Sequence, residues 1–114
     1  MLPKTHRFNF NNEYDELKKT GKRFHSPLFD LIFSFSSQNT APRIGIVVSN
    51  NVSLLSVRRH LVKRRISEAI FLNINSLPKG TSLVFLVKKE GVGKTFAEIK
   101  KEVERIIPLL INSN

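Results

Sequence analysis

The chain has 114 residues, 40% of them hydrophobic, enough to bury a core of modest stability within one domain (1–114) and too many for a disordered chain. Lys and Arg number 19 against 9 Asp and Glu, a net charge of +10, so the favoured partner is an anion, with nucleic acid ahead of a membrane surface or an acidic protein. There is no cysteine, which excludes disulfide staples and thiolate zinc sites, and no apolar run approaches the roughly 20 residues of a membrane span.

Residues 1–10, MLPKTHRFNF, form a basic, turn-prone tail expected to pack on the domain; with no apolar signal core, the chain reads as soluble, unexported and cytoplasmic. Asn11 or Asn12 can cap a short helix whose first turn carries Glu13, Asp15 and Glu16, whose end carries Lys18 and Lys19, and which stops at Gly21. From Arg23 to Ser36 apolar and polar positions alternate as in a strand that Pro27 interrupts or marks as an edge. Ser37–Pro42 has the composition of a hairpin loop, and Arg43–Ser49 reads as a second strand, apolar on both faces and therefore expected at the centre of the sheet.

The next element is the most informative. Ser56 to about Asn75 reads as a helix ended by Pro78 and Gly80, and it packs Arg58, Arg59, Lys63, Arg64 and Arg65 into one short stretch with no acid between Asp30 and Glu68. At 100° per residue Val62, Ile66, Ala69 and Ile70 share a docking face, while His60, Lys63, Arg64 and Ser67 share a face suited to phosphate. Thr81–Lys88 is another apolar strand and Gly91 and Gly93 turn the chain. Thr95 and Glu98 then form a capping box for a last helix with the apolar stripe Phe96, Ile99, Val103, Ile106, Ile107 and Leu110, which Pro108 is expected to kink or shorten.

Several chemistries fail on inspection. Gly93-Lys94-Thr95 lacks the earlier glycine of a phosphate-cradling loop, Lys88 standing in its place. His6, His25 and His60 are scattered and no serine is set with His and Asp as a nucleophile, so no metal site and no catalytic residue is predicted. Glu98, Glu102 and Glu104 interleave with Lys100, Lys101 and Arg105 as ion pairs of a solvated helix face. Phe29, Phe33, Phe35 and Phe85 are expected in the core, and a ring near Tyr14 is a candidate to line an RNA groove.

In this order the residues resemble the protein subunit of bacterial ribonuclease P. The likeness is carried by the opening Met-Leu-Pro-Lys with Arg7, the run Tyr14–Phe24, Ser26-Pro27-Leu28-Phe29 and Arg43–Ser49. That family's basic segment, Arg-Asn-Arg-x-Lys-Arg, falls on Arg59–Arg64, with His60 for the asparagine and Leu61 for the second arginine, while Arg58 or Arg65 can substitute electrostatically. The resemblance implies an α+β fold. It would be a two-layer α/β sandwich of a four-stranded mixed sheet and three helices, with a left-handed βαβ crossover, similar to the second domain of a small-subunit ribosomal protein. Pattern alone would choose the right-handed hand.

The resemblance also implies function. The RNA subunit would be met by Arg58, Arg59, His60, Lys63, Arg64, Arg65 and Ser67, and the single-stranded 5′ leader of precursor tRNA by Arg7, Phe10, Tyr14, Lys18 and Ile32. Lys18 stands where a second aromatic is usual, and Asn50 and Asn51 where lysines are common. The chain would be an accessory subunit of an endoribonuclease whose catalysis, with its Mg2+, resides in RNA, and it would bind no small-molecule substrate. The alternatives are a non-catalytic ribosomal or other structured-RNA-binding protein, which shares charge and size, and a small nuclease with its own active site.

Overall fold

The computed structural model describes residues 2–37 and 39–112. The chain forms α1 (Phe10–Thr20), β1 (Lys22–His25), β2 (Phe29–Phe35), β3 (Arg43–Val47), α2 (Ser56–Leu72), β4 (Thr81–Val87) and α3 (Phe96–Asn112), with 3-10 turns at Lys4–His6, Ile74–Ser76 and Lys89–Gly91. The strands make one mixed sheet in the order β1-β2-β4-β3, antiparallel except for the β3–β4 pair that α2 connects. The class is α+β.

Helix α1 begins at Phe10, ahead of the expected caps Asn11 and Asn12. Its first hydrogen bond runs from the Glu13 N–H to the Asn9 carbonyl at 3.1 Å, which puts Asn9 at the cap position. It ends as expected, with the Gly21 N–H donating to the Leu17 carbonyl at 2.7 Å. Pro27, which lacks an N–H, falls in the break between β1 and β2, and the two strands pair back antiparallel around it.

The expectation that Arg43–Ser49 forms the central strand is corrected: β3 is the edge, and β2 and β4 are central. Its outer edge is covered by the N-terminal segment, where the Phe8 N–H donates to the Ile44 carbonyl at 2.9 Å and Arg7 bridges Ile44 in parallel. Its faces are covered too, Ile44 and Ile46 by the main core and Gly45 by Phe8 and Phe10. An edge strand enclosed in this way has the apolar pattern of a central one. The Ser37–Pro42 stretch, of which residue 38 lies outside the described residues, is likewise no hairpin loop, because β4 lies between β2 and β3. It is pinned instead to the start of β4. Gly80 donates to the Thr40 carbonyl at 2.8 Å and accepts from the Ser36 N–H at 3.0 Å, from a φ of 83° that favours glycine.

Two cores lie on opposite faces of the sheet. On one, Phe29, Leu31, Phe33, Leu83 and Phe85 meet Val62, Ile66, Ala69 and Ile70 of α2 and Ile99, Val103, Ile106 and Leu110 of α3, with the Phe29 and Phe85 rings edge to face at 5.1 Å. Thr95 Oγ1 accepts the Glu98 N–H at 3.2 Å, so α3 starts at its predicted cap, and it runs through the exposed Pro108 instead of ending there. Helix α2 ends at Leu72, short of the expected Asn75, where a 3-10 turn takes over. On the other face a small cluster of Phe8, Leu17, Ile32 and Val84 seats α1. The fold therefore holds α2 and α3 firmly and α1 by a narrow contact.

Candidate nucleic-acid interface

Helix α2 breaks the local rules that α3 obeys. It starts after Leu55 with no side-chain cap, carries no acid in its first turn, and places Arg58 and Arg59 at the positive end of its own dipole. A cap is worth about 1 kcal/mol and each misplaced charge about 0.3–1 kcal/mol, so the helix relies on the burial of Val62, Ile66, Ala69 and Ile70. Local penalties kept in this way mark a functional surface.

The basic residues of α2 divide into two groups. Arg59 Nη1 donates to the Ser53 carbonyl at 2.7 Å, fixing the loop before the helix, and Arg65 Nη1 donates to the Lys94 carbonyl at 2.6 Å, tying α2 to the turn before α3. Arg58, His60, Lys63 and Arg64 are exposed, and among the described residues nothing binds their side chains. Ser67 is only 6% exposed, at the foot of the same face. Leu61 is 41% exposed, and Leu54 and Leu55 before the helix and Val57 in its first turn are exposed as well. This apolar fringe was missed because the helical period assigns only a buried and a charged face.

An aromatic platform adjoins this helix. The Phe10 and Tyr14 rings meet edge to face at 5.2 Å, Phe8 meets Phe10 at the same distance, and Lys18 Nζ lies 4.9 Å from the Tyr14 centroid. Phe10, 38% exposed, lies against Gly45, where an added Cβ would come within 2.5 Å of its Cζ. Glycine is required there for the ring to lie down. Of the expected leader residues, Ile32 is not at the surface: it is 1% exposed beneath Leu17, part of the seat of α1. A β-strand alternation cannot tell a groove floor from a helix seat, hence the misplacement. Partly buried Val47 and Leu86, which like Tyr14 pack against this small cluster, are the sheet side chains that sequence reading overlooked.

The two expected sets of residues meet. A pocket of about 250 Å3 is lined by Arg7 and Phe10 from one set and by Lys63 and Ser67 from the other, over Gly45. Arg7 is held there by its Nε donating to the Leu2 carbonyl at 3.0 Å.

Several acids are paired away from α2. Asp30 accepts from His25 Nδ1 at 3.0 Å and Lys88 Nζ at 3.2 Å; burial raises its pKa, but these bonds and charges outweigh it and hold the group below its ordinary 3.8. Glu102 is lowered chiefly by hydrogen bonds from Arg105, burial opposing and Ser26 assisting. Arg105–Glu102 and Lys100–Glu104 are pairs expected along α3, whereas Glu98 pairs with Lys94, in the turn before the helix. Among the described residues no group of three or more His, Cys, Asp or Glu converges to hold a metal ion, and no helix is long and apolar enough to cross a membrane.

The family model described as Ribonuclease P matches residues 2–109. The ribonuclease P protein component of Clostridium kluyveri is 32% identical over 104 residues, covering 90% of this chain and 91% of that protein. That of Clostridium novyi is also 32% identical, covering 93% and 94%. Among solved structures, the RNase P protein from Thermotoga maritima superposes with a TM-score of 0.78 at 22% identity, covering 89% of this chain and 94% of that one. The Staphylococcus aureus RNase P protein gives 0.81 at 19%, covering 94% and 96%. These last two show the fold.

Proposed function

The chain belongs to the ribonuclease P protein family and so to tRNA processing, and we propose that it is the cytoplasmic accessory subunit that binds the catalytic RNA and the 5′ leader of precursor tRNA. The observation that carries this reading is the pocket where Lys63 and Ser67 of α2 meet Arg7 and Phe10 of the aromatic platform. One continuous surface can then grip folded RNA by its phosphates and pass an unpaired strand across rings.

On this reading Arg58, Lys63 and Arg64 neutralise RNA phosphates and release counterions, which makes binding steeply salt-dependent. Arg59 and Arg65 shape the surface from within. Tyr14 and Phe10 stack leader bases at about 1–3 kcal/mol each, and Lys18 draws the leader backbone. Magnesium, which we place on the RNA, would supply activation of water and stabilisation of the leaving oxygen when bound there. The chain's own residues bind and orient; none is assigned to bond breaking.

Recovering the chain from its native cells and sequencing the bound RNA tests this. Enrichment of ribonuclease P RNA and precursor tRNA is expected. A preparation dominated by ribosomal RNA would replace this reading with that of a ribosomal or other structured-RNA-binding protein.

A further inference from the structure

The groove depends on where α1 sits, and α1 is held by little. Leu17 buries against Ile32 and Val84, and beyond this small core the chief polar tie is an ion pair from Arg43 Nη1, at the first residue of β3, to Glu13 Oε1. The two side chains are 30% and 29% exposed, so the pair is largely sheltered. Glu13 Oε2 is closed off from solvent and meets no donor among the described residues. Glu13 also immediately precedes Tyr14.

The flanks of α1 differ in chemistry. Tyr14 and Lys18 share one flank. On the other, Glu13, Glu16 and Thr20 face Ser34, Ser82 and Arg43, and among the described residues Arg43 is the one cation lining that pocket. An anionic strand is drawn to the first flank and repelled by the carboxylates of the second, so Glu13 and Arg43 are turned away from the RNA.

We propose that the Glu13–Arg43 pair is the positioning device of the leader groove, fixing the seat of α1 so that Tyr14 and Lys18 border the sheet and thereby setting discrimination between precursor and mature tRNA without touching either. This rests on the reading of the groove as the leader's seat. Loss of Arg43 leaves a sheltered carboxylate with no counter-charge, and α1 relieves it by shifting toward water. Loss of the Glu13 charge removes the same tie from the other side.

The sign of one substitution separates positioning from charge. Glu13→Gln is nearly isosteric and removes a negative charge, so simple electrostatics has it strengthen binding to every RNA. Positioning has it weaken precursor selectivity. With the holoenzyme reconstituted from the cognate RNA subunit, Glu13→Gln and Arg43→Ala are each expected to lower the ratio of precursor to mature tRNA affinity on the order of fivefold. Affinity for the RNA subunit should be unchanged, and Arg43→Lys should recover most of the loss. Tyr14→Ala is the control. If Tyr14→Ala lowers the ratio while Glu13→Gln leaves or raises it, the positioning role is refuted and the groove stands. If neither changes it, the groove assignment fails and the positioning role with it.

Discussion

Asp30 lies on the α1 side of the sheet beside Ile32, an acid on a surface read as meeting an anion, and its partners explain how it is tolerated. His25 and Lys88 both contact Oδ1, and Lys88 also donates to the Ser26 carbonyl at 2.7 Å, so the carboxylate clamps β1, β2 and the end of β4. Its folded pKa is depressed below 3.8, so the charged form favours the fold. That contribution is fully present above the unfolded value and is lost as pH falls through the folded one. Asp30→Asn is therefore expected to lower Tm by roughly 2 °C near neutrality, the size suited to a solvent-screened cluster, and the two melting curves should converge below pH 3.8. A gap that widened on acidification would mean the carboxylate does not stabilise the fold. This clamp was illegible in the sequence, because it depends on a strand register that brings His25 opposite Asp30.

At the scale of elements, α2 was legible in its period and charge: the predicted docking residues Val62, Ile66, Ala69 and Ile70 are all buried. What the pattern could not assign was the use of each arginine, since Arg59 and Arg65 reach backbone carbonyls supplied by a preceding loop and by a segment distant in sequence. The helix separates stability from binding accordingly. Replacing Lys63 and Arg64 together by Ala is expected to leave the melting temperature nearly unchanged and to weaken binding to the RNA subunit. It should also flatten the log-log salt dependence by roughly 1 for each phosphate that is no longer neutralised. An unaltered slope would remove both residues from the interface. The same limit of local patterning explains β3, whose enclosed edge imitates a central strand, and Ile32, whose burial comes from a helix seated on it.

Over the whole molecule, the large core holds α2 and α3 as a rigid platform, while the second face carries α1 on a narrow seat with one sheltered ion pair. That division suits the proposed role, in which the chain docks on one folded RNA and accepts leaders of differing sequence. Among the described residues every ion pair lies outside α2, and Arg58, Lys63 and Arg64 of that helix are exposed with no ion-pair partner. The most direct test is precursor tRNA processing at near-physiological salt and magnesium with the cognate RNA subunit alone, the chain alone, and both together. The account predicts little cleavage by the RNA alone, none by the chain alone, and efficient removal of the 5′ leader when both are present. Robust cleavage by the chain free of RNA, or no gain from adding it to the RNA subunit, would contradict it.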